Sequence, residues 1–89
     1  MPTLHIPSAM RRLTGGETKV LVSAETLAEA IDALEERYPG LRERLTEEGK
    51  LRGGLALFVD NEMVRTGLRT RLAPESEVYF SPAVAGGSP

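Results

Sequence analysis

The clearest chemical opportunity in this chain lies in two adjacent glycines close to its end, in Phe80-Ser81-Pro82-Ala83-Val84-Ala85-Gly86-Gly87-Ser88-Pro89. Small residues and a glycine pair leave the backbone free to lie extended and to enter a narrow channel. That suits chemistry on the main chain itself, in which a partner enzyme reaches the carbonyl of Gly87 without meeting a Cβ. A frayed terminus or residues left by an expression vector would have the same composition. The domain in front of the glycines must decide between these readings.

Other reactive groups are few. There is no cysteine, which excludes a disulfide framework, a thiolate nucleophile and a thiolate metal site. The one histidine, His5, falls on a predicted strand, where an imidazole is far more often a surface group than a catalytic base. No catalytic dyad and no metal-ligand spacing accompany it. Arg65, Arg69 and Arg71 could form a basic stripe, but no aromatic platform lies among them, so they read as a solvated strand face.

The chain has 89 residues, enough for one domain with a barely sufficient core. Apolar residues make up 40% and charged residues 27%, as in an ordinary soluble domain. With two Phe, two Tyr and no Trp, the core must be built from Leu, Val, Ile and Ala. A net charge of -2 argues against nucleic-acid binding, which needs a basic excess to displace counterions. Small secreted domains usually carry disulfides, so the expected compartment is the cytoplasm. Neither a signal peptide nor a membrane-spanning run is expected.

The elements follow from periodicity. Leu4-His5-Ile6-Pro7 alternates as a short strand, limited by Pro7. Ser8 to Leu13 forms a loop or helical turn, and Gly15-Gly16 reverses the chain into a second strand, Thr18 to Val22. Thr26-Leu27-Ala28-Glu29 is a capping box. Leu27, Ala30, Ile31, Leu34 and Tyr38 then make one helical face, stopped by Tyr38-Pro39-Gly40. Leu41 and Leu45 mark a short second helix closed by Gly49. Strands follow at Leu55 to Val59, Met63 to Arg65 and Glu77 to Pro82, with turns at Asp60-Asn61-Glu62 and Ala73-Pro74-Glu75-Ser76. The predicted core is Leu4, Ile6, Val20, Val22, Leu27, Ile31, Leu34, Leu57, Val59, Val78 and Phe80. The fold class is α+β, with a main helix across one face of a sheet. If the first and last strands lie side by side at the centre, the chain leaves the sheet at one end.

In this order of elements, four segments carry a resemblance: Thr26-Leu27, Tyr38-Pro39-Gly40-Leu41, Val59-Asp60-Asn61-Glu62 and Pro82-Ala83-Val84-Ala85-Gly86-Gly87. Together they resemble the ubiquitin-like sulfur-carrier family over essentially the whole chain through Gly87. That family includes the small subunit of molybdopterin synthase, the thiamin sulfur carrier and the cysteine-biosynthesis carrier of actinobacteria. The ending is most similar to the last of these; the molybdopterin subunit usually has a second proline where Ala83 stands. The resemblance implies a β-grasp fold over residues 1–82, with a mixed sheet of about five strands, one main helix and a short second helix. A flexible tail, 83–89, would follow.

It also implies a carrier rather than an enzyme. An E1-like adenylyltransferase would use ATP to activate the carboxylate of Gly87, recognising Val84, Ala85 and Gly86 on the way. Sulfur would then displace AMP, and a sulfur-accepting synthase would use the resulting thiocarboxylate. The carrier itself would bind no cofactor. External activation makes chemical sense, because a free α-carboxylate has a pKa of about 3.5 and is a poor electrophile when ionised. Leu55 and Met63 are candidates for docking the activating enzyme, through an apolar patch on the exposed sheet face. Ser88-Pro89 departs from the family pattern, since Gly87 is then an amide. Three explanations compete: a precursor trimmed by a JAMM-type metallopeptidase, a vector remnant, or loss of the carrier role. A ubiquitin-like interaction module or protein modifier stays open as an alternative.

Overall fold

The computed structural model describes residues 1–82, and the predicted tail, 83–89, lies outside the described residues. The chain forms β1 (Thr3–His5), a 3₁₀ helix (Ser8–Thr14), β2 (Lys19–Leu21), α1 (Leu27–Arg37) and α2 (Leu41–Leu45). It continues through β3 (Thr46–Glu47), β4 (Lys50–Leu51), β5 (Leu55–Val59), β6 (Glu62–Val64), a 3₁₀ turn (Gly67–Arg69) and β7 (Glu77–Pro82). The main sheet runs β2-β1-β7-β5-β6. Its central pair, β1 and β7, is parallel with Leu4 opposite Val78, and its other pairs are antiparallel. A five-stranded mixed sheet crossed by one helix is the β-grasp arrangement.

Local chemistry explains the turns. The 3₁₀ helix between β1 and β2 ends at Gly15, whose φ of 66° is left-handed. Asp60 and Asn61 both take positive φ, 52° and 73°. This is what a two-residue hairpin between right-twisted strands requires. At the start of α1, the Thr26 hydroxyl accepts from the Glu29 amide at 3.2 Å. The Glu29 carboxylate reaches back one residue further than a capping box predicts and accepts from the Glu25 amide at 2.9 Å.

The core lies between α1, α2 and the inner face of the sheet. Leu4, Leu27, Ala30, Leu34, Leu41 and Val78 have no measurable exposure. Every predicted core residue is buried except Val59, which is half-buried at the end of β5, against the turn into β6. Met10, Leu41, Leu45 and Leu72 complete the core from the 3₁₀ helix, α2 and the loop before β7.

One element departs from the sequence reading. The second helix stops at Leu45, and Thr46–Glu47 pairs with Lys50–Leu51 as a small antiparallel hairpin. Its turn is Glu48-Gly49, with φ of 54° and 77°. Glutamates favour continuing a helix, so the polar stretch hid a two-residue turn whose only signal was Gly49.

Glu35 fixes α2 against α1. Its carboxylate accepts from the Arg42 amide at 2.9 Å and from the Gly40 amide at 3.2 Å. It thereby caps a helix whose N-cap, Gly40, has no side chain to do so. The Arg42 amide bond, then the Gly40 amide bond, hold the Glu35 carboxyl below its ordinary value of 4.5. A depressed pKa contributes stability above the unfolded value, and the contribution is lost as pH falls through the folded value.

Two outcomes follow. Leu34→Ala should cost roughly 2–5 kcal/mol of unfolding free energy in urea, and a loss under about half a unit would contradict the burial of α1. Glu35→Gln should lower stability at pH 7 and flatten its decline with acid below pH 4.5. Unfolding curves measured across that range would contradict the capping role if the variant and the natural chain declined in parallel.

Candidate functional site

β7 carries the chain to the point from which the glycine pair departs. It is hydrogen-bonded on both sides, to β1 and to β5. At its last described residue, Pro82, it lies opposite Leu55. The tail therefore springs from the centre of the sheet, not from an edge strand. Val84, Ala85, Gly86 and Gly87, the predicted recognition and sulfur-carrying residues, lie outside the described residues.

The outer face of the sheet, away from α1, carries one continuous row. The strand registers place Met63 opposite Phe58, Phe58 opposite Tyr79, Tyr79 opposite His5, and His5 opposite Lys19. The His5 and Tyr79 rings stack, with centroids 3.9 Å apart and planes within 4°. His5 Nε2 lies 2.6 Å from Glu77 Oε1. This contact and the stack fix the imidazole in the row, and Glu77 is half exposed. Met63 and Tyr79 are 53% and 43% exposed, so two large side chains of the row are accessible. Cross-strand aromatic pairs of this kind stabilise a sheet by a few tenths to about 1 kcal/mol each.

The two docking candidates fall on different faces. Met63 pairs with Phe58 on the outer face. Leu55 has the parity of Leu57 and packs against the core. A strand slipped by one residue exchanges its faces, and only the observed register separates the two. Both border one cleft of about 690 Å³ at the start of β5. Arg65, Arg69 and Arg71 are exposed, as expected of solvated cations, but none lies within a named strand of the sheet. Arg65 and Arg69 edge that cleft, while Arg71 bridges to Thr26 elsewhere.

Sequence reasoning missed Phe58, Tyr79 and His5 as a set. Alternation along β5 and β7, with Leu57, Val78 and Phe80 read as core, offered the signal that Phe58 and Tyr79 face outward, but their meeting depends on register. Among the described residues, no group of three or more His, Cys, Asp or Glu could hold a metal ion. No helix among them is long and apolar enough to cross a membrane.

The described geometry is thus a central strand, β7, that precedes the glycine pair in sequence and carries Tyr79 on its outer face. The model of the ThiS family matches residues 4–87. The chain belongs to the ThiS family. The match ends at Gly87, leaving Ser88 and Pro89 beyond it. Among relatives of this ThiS-family chain, the sulfur carrier protein CysO of Mycobacterium tuberculosis is 41% identical over 90 residues, covering 96% of this chain and 97% of the relative. CysO in the BexX/CysO complex of Amycolatopsis orientalis superposes with a TM-score of 0.89 at 37% identity, covering 98% and 100% of the two chains. The crystal structure of M. tuberculosis CysO gives 0.86 at 38% identity, covering 94% and 100%. The family assignment, the ubiquitin-like fold and the likeness to the actinobacterial carrier thus agree with the reading of the sequence.

The two sides of β5 and β6 make a direct comparison. Met63→Glu should change unfolding free energy by no more than about 0.5 kcal/mol. Leu55→Glu should cost at least about 1 kcal/mol, because it brings a carboxylate against the core. Equal losses in urea titrations would place the two residues on the same face.

Proposed function

We propose that this ThiS-family chain is a sulfur carrier protein of the CysO kind, with Gly87 as the residue that carries sulfur. The observation that supports it most is the family match, which spans the β-grasp domain and stops at the second glycine. In this reading an E1-like enzyme joins the Gly87 carboxylate to the AMP portion of ATP and releases pyrophosphate. A sulfide equivalent then attacks the acyl carbon, AMP leaves, and the carbonyl ends as a thiocarboxylate. A synthase takes the sulfur into a biosynthetic product such as cysteine. The chain contributes position: β7 holds the tail root, Val84, Ala85 and Gly86 thread the enzyme's channel, and Gly87 presents the carbonyl.

The row of Met63, Phe58, Tyr79 and His5 is the proposed docking face for the activating enzyme. Leu55 supports that platform from the inner side. CysO from A. orientalis is found in a complex with BexX, which is consistent with a carrier of this kind engaging a protein partner. Activation needs ATP, which fits a cytoplasmic setting.

Ser88-Pro89 makes Gly87 an internal amide, so we infer that a peptidase of the JAMM metal-dependent type exposes the carboxylate. The small-subunit role in molybdopterin synthase is the second reading; Ala83 stands against it. The modifier reading differs in product, since conjugation leaves the chain attached to lysines of other proteins.

The test is covalent. A chain ending at Gly87, incubated with its E1-like enzyme, ATP and a sulfur source, should support ATP–pyrophosphate exchange. It should also gain about 16 mass units, the difference between oxygen and sulfur. The chain ending at Pro89 should do neither. Gly86→Ala in the trimmed chain should slow exchange, because it adds a Cβ where the backbone passes closely. Equal exchange from trimmed and verified untrimmed chains would reject the precursor reading.

A further inference from the structure

The cleft at the start of β5 has a composition that the carrier role does not use. Its walls include Leu51, Leu55, Val64 and Leu68, each half-buried and packed on the core. Lys50, Arg52, Arg65 and Arg69 line it as well, and all four are exposed. Four of the chain's 11 Lys and Arg residues thus gather at one cleft, and none of its 13 Asp and Glu residues lines it, although the net charge is -2. Among the described residues, Arg52 is paired with Glu47 at 3.4 Å, while Lys50, Arg65 and Arg69 have no acidic partner.

We propose that this cleft docks an acidic segment of a partner protein, whose apolar side chains enter the trough while its carboxylates meet Lys50, Arg65 and Arg69. Two physical demands select this occupant. The half-buried walls leave apolar area in water, and covering that area stabilises a complex. Any cover also strips water from the surrounding cations, and a charge desolvated without a partner is costly. An apolar segment would leave those cations unpaired, and a basic one would be repelled. An acidic segment pairs them, and the guanidinium forks of Arg65 and Arg69 match the geometry of carboxylates. At about 690 Å³ the cleft is of a size that takes several side chains at once.

This surface is separate from the outer row. Of Met63, Phe58, Tyr79 and His5, only Met63 also borders the cleft. The cations raise the rate of encounter with an acidic partner as well as its affinity. The proposal does not rest on sulfur chemistry, because docking of this kind needs no activated chain.

The test uses the full chain and a capped hexapeptide that alternates leucine and glutamate. Added to the isotope-labelled protein, the peptide should shift the amide resonances of Leu51, Leu55, Val64 and Leu68 saturably and leave Ser8 and Thr18 in place. Hexapeptides with lysine for glutamate, or serine for leucine, should bind at least tenfold more weakly. Arg65→Gln combined with Arg69→Gln, both at exposed positions, should weaken the leucine–glutamate peptide at least fivefold while the spectrum stays that of a folded chain. Shifts that never saturate, shifts confined to Phe58 and Tyr79, or equal binding of the lysine peptide would overturn the proposal. Decanoate binding more tightly than the peptide would make the cleft a site for small amphiphilic anions. Cleft resonances that move when the protein alone is diluted would make the occupant a second copy. Either of these results would also overturn it.

Discussion

The parallel pairing of β1 with β7 is the constraint on which the rest of the structure depends. It joins the beginning and end of the domain, with Leu4 beside Val78. The chain between them extends the sheet on both sides and sends its helices over one face to allow it. A parallel pair needs a long crossover, and here α1, α2 and the hairpins supply it while burying the inner face. The same pairing makes β7 central, so that the outer row of side chains and the departure point of the tail share one strand.

Much of this was legible in the sequence because the period of the apolar residues changes with the element. Alternation exposed β5 and β7 with their observed bounds, and helical spacing exposed the α1 face. The hairpin at Glu48-Gly49 was not legible, since no apolar alternation marks strands of two residues each. Nor was the half-burial of Val59, at the last position of β5 before the Asp60-Asn61 turn.

The candidate site divides along the same line. Gly86 and Gly87 are conspicuous as residue types, and the family match runs to the second of them. The proposed docking face is a property of register: Phe58, Tyr79 and His5 are far apart in sequence and meet only through two strand pairings. Leu55 and Met63 face opposite sides of the sheet yet border one cleft for the same reason, because proximity to the last strands says nothing about the side of the sheet.

The placement of β7 has a mechanical consequence. A protein whose terminus is drawn into another molecule's channel is pulled along its last strand. Ladder hydrogen bonds run across a strand's axis, so a pull along β7 loads the bonds to β1 and β5 together, in shear. An edge strand, or one pulled sideways, would unzip bond by bond. In this chain, a pull along β7 would be shared by its ladders to β1 and β5 at the centre of the sheet.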